Sequence, residues 1–364
     1  MPAAIALAPP LAPPLAPPLA PPLAPPLAPP LAPPLAPAPQ AAPVPALAPV
    51  APPGQPLGAP PVHRPTGKVT VATLAALKRR AERAVFVTAY DYPTATFAER
   101  AGVDMILVGD SVGMTMMGLP NTLGVTMEDM LVFVQSVCRA ARRAFVVGDL
   151  PFLSYQVSDA AAVSNAGAFV RAGCDAVKCE GGARVARRVR AMTDAGILVM
   201  GHLGLTPQNL AQLGGYRVQG TSRDAADRLV DDALALQEAG AFAVLLEAMP
   251  AETAAYVRER VSMLVYGIGA GPHVDGQLLI SHDMLGNFVG DVAPRFAKRY
   301  AEIGAAVEAA FRAYAGDVRD GVFPGPEHCY PLDPAHAALL QPSAAEPSVR
   351  AMPLDRQRAA IPCG

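Results

Sequence analysis

The sequence predicts a (β/α)8 TIM barrel, and three observations carry that expectation. Short apolar runs alternate with helical patterns eight times between residues 85 and 314, the order that yields a parallel sheet with helices outside it. The runs are apolar throughout, as strands covered on both faces must be. Five of them end in a polar residue: residues 105–108 lead through Gly109 to Asp110, 145–148 to Asp149, 176–179 to Glu180, 197–201 to His202 and 242–246 to Glu247. A polar group at the end of a buried strand costs solvation unless a site uses it, and barrels build their sites at the C-terminal rim. A doubly wound open sheet is the alternative reading of the same pattern.

Residues 71–83 have helical periodicity with a start signal at Thr73 and are expected to close the barrel floor. The first strand, 85–89, leads into Tyr90-Asp91-Tyr92-Pro93 and a helix to about residue 101. After the strand ending at Asp110, Thr126 with Asp129 three residues later marks a capped helix running to about 143. Ser158-Asp159 opens an Ala-rich helix that stops near Gly173, and Gly181-Gly182 starts another that reaches Gly196. A long polar loop containing Gly214-Gly215-Tyr216-Arg217-Val218-Gln219-Gly220 precedes a helix over 222–239. Residues 250–260 read as helix, 262–266 and 278–281 as the last two strands, and 296–314 as the last long helix.

Residues 1–65 form a separate Pro-rich extension expected to be disordered, 66–331 the barrel domain, and 332–364 a loosely ordered Ala/Pro-rich tail. Residues 1–62 hold no charged side chain and 25 of the 41 prolines, including seven consecutive Leu-Ala-Pro-Pro units over 7–34. Proline fixes φ and removes donors, so this tract favours polyproline II, as an unstructured arm or a PxxP-type docking segment. It lacks the basic start and unbroken apolar core of a signal peptide, and proline interrupts every stretch of about 18 apolar residues that could span a membrane. The net charge of −2, without a basic run, argues against nucleic acid or an anionic membrane as partner. Five cysteines without a C-x-x-C pair argue against a disulfide framework or zinc site and fit a reducing cytoplasm.

The strand ends suggest chemistry. Asp110 and Asp149 are hard oxygen donors on neighbouring strands and suit Mg2+, with Glu180 as a third ligand, direct or through water. Clustered carboxylates repel, so a cation or a proton must neutralise them. Any one of these aspartates alone reads more readily as a helix cap or turn; the pair, with Ser111 and Glu180 beside it, points to the metal. Lys178 and Glu180 share one face of a strand and Cys179 the other. Facing inward, Lys178 supplies a positive charge for a substrate carboxylate; a purely structural pair with Glu180 is the alternative. Glu247, expected among apolar neighbours with a raised pKa, suits a general base. His202 is placed to donate a hydrogen bond to a substrate oxygen, or is a core histidine satisfied by its neighbours. The run Gly267-Ile268-Gly269-Ala270-Gly271 departs from the dinucleotide fingerprint and is expected to let backbone pass close to a ligand. Together these parts describe metal-assisted enolisation of a 2-oxo acid whose carbanion attacks a carbon electrophile.

At this point the motifs resemble a known family. Thr88-Ala89-Tyr90-Asp91-Tyr92, Val108-Gly109-Asp110-Ser111-Val112-Gly113-Met114, Gly148-Asp149-Leu150-Pro151-Phe152, Val177-Lys178-Cys179-Glu180-Gly181-Gly182 and Gly201-His202-Leu203-Gly204-Leu205-Thr206-Pro207-Gln208 lie in the order found in ketopantoate hydroxymethyltransferases. The two glycine segments at 214–220 and 267–271, Asp275-Gly276-Gln277 and Gly321-Val322-Phe323-Pro324-Gly325 complete the match over 69–330. The resemblance implies hydroxymethyl transfer from 5,10-methylenetetrahydrofolate to 3-methyl-2-oxobutanoate, giving 2-dehydropantoate in pantothenate and coenzyme A biosynthesis. It also implies Mg2+ held by Asp110, Asp149 and Glu180, substrate held by Asp110, Ser111, Asp149 and Lys178, Glu247 as proton acceptor, and a homodecamer. Gly124 and Cys179 depart from the family's usual proline and aliphatic residue. A Mg2+-dependent lyase or mutase of the isocitrate lyase and phosphonomutase kind is the rival enzyme reading, and a catalytically silent scaffold the non-enzyme one.

Overall fold

The computed structural model describes residues 67–290, 294–337 and 340. The extension expected over 1–65 and most of the tail expected over 332–364 lie outside the described residues. Eight strands follow one another around a closed barrel: β1 (Ala84–Thr88), β2 (Met105–Val108), β3 (Phe145–Asp149), β4 (Ala176–Glu180), β5 (Val199–Gly204), β6 (Ala243–Glu247), β7 (Leu264–Ile268) and β8 (Gly276–Leu279). All pairs are parallel, and β8 returns to β1 with Ala84 opposite Gly276 and Phe86 opposite Leu278. Closure rules out the doubly wound alternative.

Successive side chains of a strand point to opposite faces, and the apolar residues sort accordingly. Phe86, Met105, Leu107, Phe145, Val147, Ala176, Met200, Ala243 and Leu245 fill the barrel interior. Their neighbours Val87, Ile106, Val108, Val146, Val177, Cys179, Val199, Val244 and Leu246 pack outward. There they meet the helices through Val134, Val137, Phe169, Val189, Leu236 and Val257. The helices start where their caps dictate. Thr126 and Asp129 form a reciprocal capping box on Met127–Ala140, while Ser158 and Ser222 accept from the backbone of Asp159–Arg171 and Arg223–Glu238.

The helix Val71–Arg79 does close the floor, inserting Leu74 among the interior residues. Asp275 ties that end together, with Lys78 Nζ at 3.1 Å, a guanidinium nitrogen of Arg258 at 2.8 Å and the Val265 N–H at 2.9 Å. The described chain enters on the same side. Lys68 pairs with Asp175 ahead of β4 at 2.6 Å, and Val69 N–H donates to Arg143 O ahead of β3 at 2.7 Å. Among the described residues no helix is long and apolar enough to cross a membrane.

Several boundaries differ from expectation, each for a local reason. Strand β7 begins at Leu264 because the N–H groups of Ser262 and Met263 donate to the Gln237 side chain at 2.6 and 3.1 Å. Strand β8 stops at Leu279 because Ser281 N–H turns to Thr88 Oγ1 at 2.9 Å and opens the short helix Ser281–Leu285. The last long helix is Ile303–Arg319, seven residues later than its periodicity suggests. The segment before it is tied to that short helix, with Tyr300 N–H on Met284 O and Gly304 N–H on Gly286 O. The polar loop after β5 contains two short helical turns, Pro207–Asn209 and Leu210–Leu213. Helix Ile303–Arg319 buries none of its residues, and Ile303, Val307, Phe311, Tyr314 and Val318 form an exposed apolar stripe along it.

Candidate active site

The inward face of the barrel turns polar at its C-terminal end. Asp149 lies opposite Lys178 across β3 and β4, Glu180 opposite His202 across β4 and β5, and Gly204 opposite Glu247 across β5 and β6. Asp110 follows β2, and its N–H donates to Asp149 Oδ2 at 3.1 Å. Asp110, Asp149, Lys178, Glu180 and His202 are all buried, with at most 4% of their surface exposed. Lys178 and Glu180 face inward, whereas Cys179 packs outward. Burial raises the Cys179 thiol to about 12, which keeps it neutral and unreactive.

Lys178 organises the centre. Its Nζ lies 2.8 Å from Asp149 Oδ1, 3.7 Å from Glu180 Oε1 and 3.3 Å from His202 Nδ1. Burial pulls its ammonium toward deprotonation, but Asp149, Glu180 and Asp110 outweigh that and raise its pKa. Burial raises Asp110 well above the ordinary carboxylate range, with repulsion from Asp149 and Glu180 adding to it. Asp149 is raised by burial despite Lys178, while for Glu180 the contacts with His202 and Lys178 overcome burial and lower it. His202, desolvated and next to Lys178, is still raised to about 9 by Glu180 and Glu247. Three buried carboxylates thus share one ammonium and one imidazole, leaving a deficit of positive charge.

Mg2+ suits that deficit. Asp149 Oδ1 and Glu180 Oε1 are buried oxygens held only by the Lys178 and His202 nitrogens, and carboxylate oxygens are the hard donors Mg2+ takes. Among the described residues, no three His, Cys, Asp or Glu side chains are gathered as a ready-made metal cage. Instead Lys178, His202 and the Gln208 amide bridge the acids. Mg2+ prefers few protein ligands and keeps positions for water and substrate, so an incomplete protein cage matches its chemistry.

Glu247 ends β6 beside a sharply bent backbone. Gly204 has φ +91°, and a Cβ there would come within 2.2 Å of Glu247 O, so only glycine fits. Leu205 N–H donates to that carbonyl at 2.9 Å. The following Ala248 sits at φ +48°, a strained conformation for alanine, held by its N–H to Ile268 O at 3.0 Å. The expected apolar surroundings of Glu247 are not found: His202 Nε2 lies 3.1 Å from its Oε2. Both ring nitrogens of His202 therefore have protein neighbours. Ser111 is half-buried and shares a 2.8 Å hydrogen bond with Tyr90 Oη.

The glycine run 267–271 does something other than expected. Cβ atoms at Gly269 and Gly271 would strike Phe296 and Ala251, so these glycines admit neighbouring protein rather than a ligand. Sequence reasoning also gave no role to Gln208 and Tyr155, which knit the acids together. Gln208 ended the Gly201 to Gln208 motif, and that position was the available signal.

A closed parallel barrel whose rim gathers acids, a lysine and a histidine defines a (β/α)8-barrel enzyme. Its family is equally clear. Residues 68–326 match the model of the ketopantoate hydroxymethyltransferase family, and the chain belongs to that family. It is 50% identical to 3-methyl-2-oxobutanoate hydroxymethyltransferase of Alkaliphilus metalliredigens over 264 residues, 72% of this chain and 93% of the relative. It is 51% identical to the enzyme of the same name from a strain of Thermus thermophilus over 251 residues, 69% and 96% of the two chains. A solved 2,3-dimethylmalate lyase matches with a TM-score of 0.49 and 19% identity, over 75% of this chain and 91% of that one.

Proposed function

We propose that this chain transfers a hydroxymethyl group from 5,10-methylenetetrahydrofolate to 3-methyl-2-oxobutanoate, giving 2-dehydropantoate for pantothenate and coenzyme A synthesis. The observation that carries this reading is the buried Asp110, Asp149, Lys178, Glu180 and His202 cluster, with Glu247 at its edge, in a chain about half identical to relatives bearing that name.

Asp110 and Asp149 would hold Mg2+, with Glu180 as a third ligand, direct or through water. When bound, the ion would polarise the keto oxygen and make the hydrogen on C3 acidic. Lys178 takes the substrate carboxylate, and Ser111, oriented by Tyr90, donates to a substrate oxygen. His202 keeps one oxygen of Glu247 in place, so that the other accepts the C3 proton. Water hydrolyses the methylene bridge of the folate, breaking both of its C–N bonds and leaving tetrahydrofolate and a formaldehyde-level carbon. The C3 carbanion adds to that carbon, and its oxygen takes a proton to become the CH2OH of the product.

The exposed stripe on Ile303–Arg319 supports assembly into a homo-oligomer, proposed as the family's homodecamer, since contiguous exposed apolar surface marks an interaction site. The proposed location is the cytoplasm. The deciding experiment follows 3-methyl-2-oxobutanoate consumption with and without methylenetetrahydrofolate. Turnover only with the folate supports the transferase; carbon–carbon cleavage without it would establish the lyase or mutase reading instead.

A further inference from the structure

We infer that Gln208 is the positioning residue of the acidic centre, aligning Asp110 and Glu180 for a divalent cation. This rests on the proposal that those carboxylates hold Mg2+. Gln208 lies in the turn Pro207–Asn209 after β5 and is 5% exposed. Its Nε2 donates to Asp110 Oδ2 at 2.8 Å and to Leu150 O at 2.9 Å. Its backbone N–H donates to Glu180 Oε2 at 2.9 Å. Its Oε1 accepts from Tyr155 Oη at 2.8 Å, and that hydroxyl, fully buried, accepts in turn from the Glu180 N–H at 3.0 Å.

One residue thereby connects the ends of β2, β3, β4 and β5. It occupies one oxygen of Asp110 and one of Glu180, which fixes the rotation of both carboxylates. Glu180 Oε1 is left facing the centre, with Lys178 Nζ at 3.7 Å and His202 Nδ1 at 3.3 Å. The chemistry demands an amide, because the position needs two donors and an acceptor on one short side chain. Flipped, the amide would set its oxygen against both the Asp110 carboxylate and the Leu150 carbonyl, so the network selects its orientation. Glutamate would lose both donors and add a charge beside Asp110. Tyr155 holds the amide from behind through its hydroxyl, which bonds the Glu180 backbone rather than its carboxylate.

The experiment is calorimetric titration of Mg2+ alone, without substrate, into the full-length wild type and the variants Gln208→Met, Tyr155→Phe and Asp110→Asn. Melting curves in EDTA accompany each titration. Partners that orient metal ligands contribute about 10- to 100-fold in metal affinity, and Gln208→Met is expected to weaken Mg2+ binding within that range. Its kcat should recover when Mg2+ is raised to saturation. Tyr155→Phe, which removes a single hydroxyl, should weaken binding less but measurably, and it decides the matter if Gln208→Met does not fold. A lowered melting temperature in EDTA with unchanged Mg2+ affinity would reduce Gln208 to a structural role and overturn the inference. Equal affinity of wild type and Asp110→Asn would instead overturn the metal reading itself, and the positioning role with it.

Discussion

Lys178→Met removes the ammonium from among three buried carboxylates while keeping a side chain of similar length. In the intact centre Nζ lies 2.8 Å from Asp149 Oδ1 and 3.7 Å from Glu180 Oε1, with the side chains 1–3% exposed. Removing one partner of a buried ion pair costs about 3–5 kcal/mol, because the remaining charge keeps its desolvation penalty. Asp110 and Asp149 already have raised pKa values, so proton uptake offsets part of this and the lower end, about 3 kcal/mol, is expected. For a domain of this size 1 kcal/mol shifts Tm by about 2–4 °C, so the variant should melt roughly 6–12 °C below wild type in EDTA. Mg2+ would replace the missing charge and narrow that gap. Circular dichroism melts with EDTA and with excess Mg2+ test both parts, alongside kcat/KM, which should collapse as the substrate carboxylate loses its partner. A variant as stable as wild type in EDTA, or a gap indifferent to Mg2+, would refute the charge-deficit reasoning.

Asp110→Ala should weaken Mg2+ and 3-methyl-2-oxobutanoate together in calorimetry, and unchanged substrate affinity would contradict chelation through the ion. Deleting residues 1–62 should leave kcat unchanged, because no motif of the site lies there; a large loss in a steady-state assay would bring the arm to the site. Phe311→Asp, a charge in the middle of the exposed stripe on Ile303–Arg319, should shift sedimentation toward smaller species. Unchanged sedimentation would move the interface elsewhere.

The barrel was legible because its strands bury both faces and alternate with capped helices. Thr126 with Asp129, and Ser158, announced helix starts in residues that can accept backbone N–H bonds and do so. The polar strand ends were legible for the same period-2 reason: once Lys178 points inward, Glu180 must, and Cys179 cannot. What stayed hidden depended on partners distant in sequence. The start of β7 is set by Gln237, the end of β8 by Thr88, and the delayed last helix by Met284 and Gly286. The neighbours of Glu247 were misread because His202 belongs to another strand, and strand register alone brings the two together. Gln208 escaped notice because an amide in a loop carries no charge signal. Only the barrel's closure reveals that it reaches Asp110, 98 residues away in sequence.

The most direct measurement is proton NMR of 3-methyl-2-oxobutanoate in deuterium oxide with Mg2+ and no folate. The proposed mechanism predicts that wild type washes out the C3 hydrogen, that EDTA stops the exchange, and that Glu247→Gln abolishes it while Mg2+-dependent substrate binding persists. Exchange retained in Glu247→Gln would show that another group removes the proton, and exchange retained in EDTA would contradict metal-assisted enolisation.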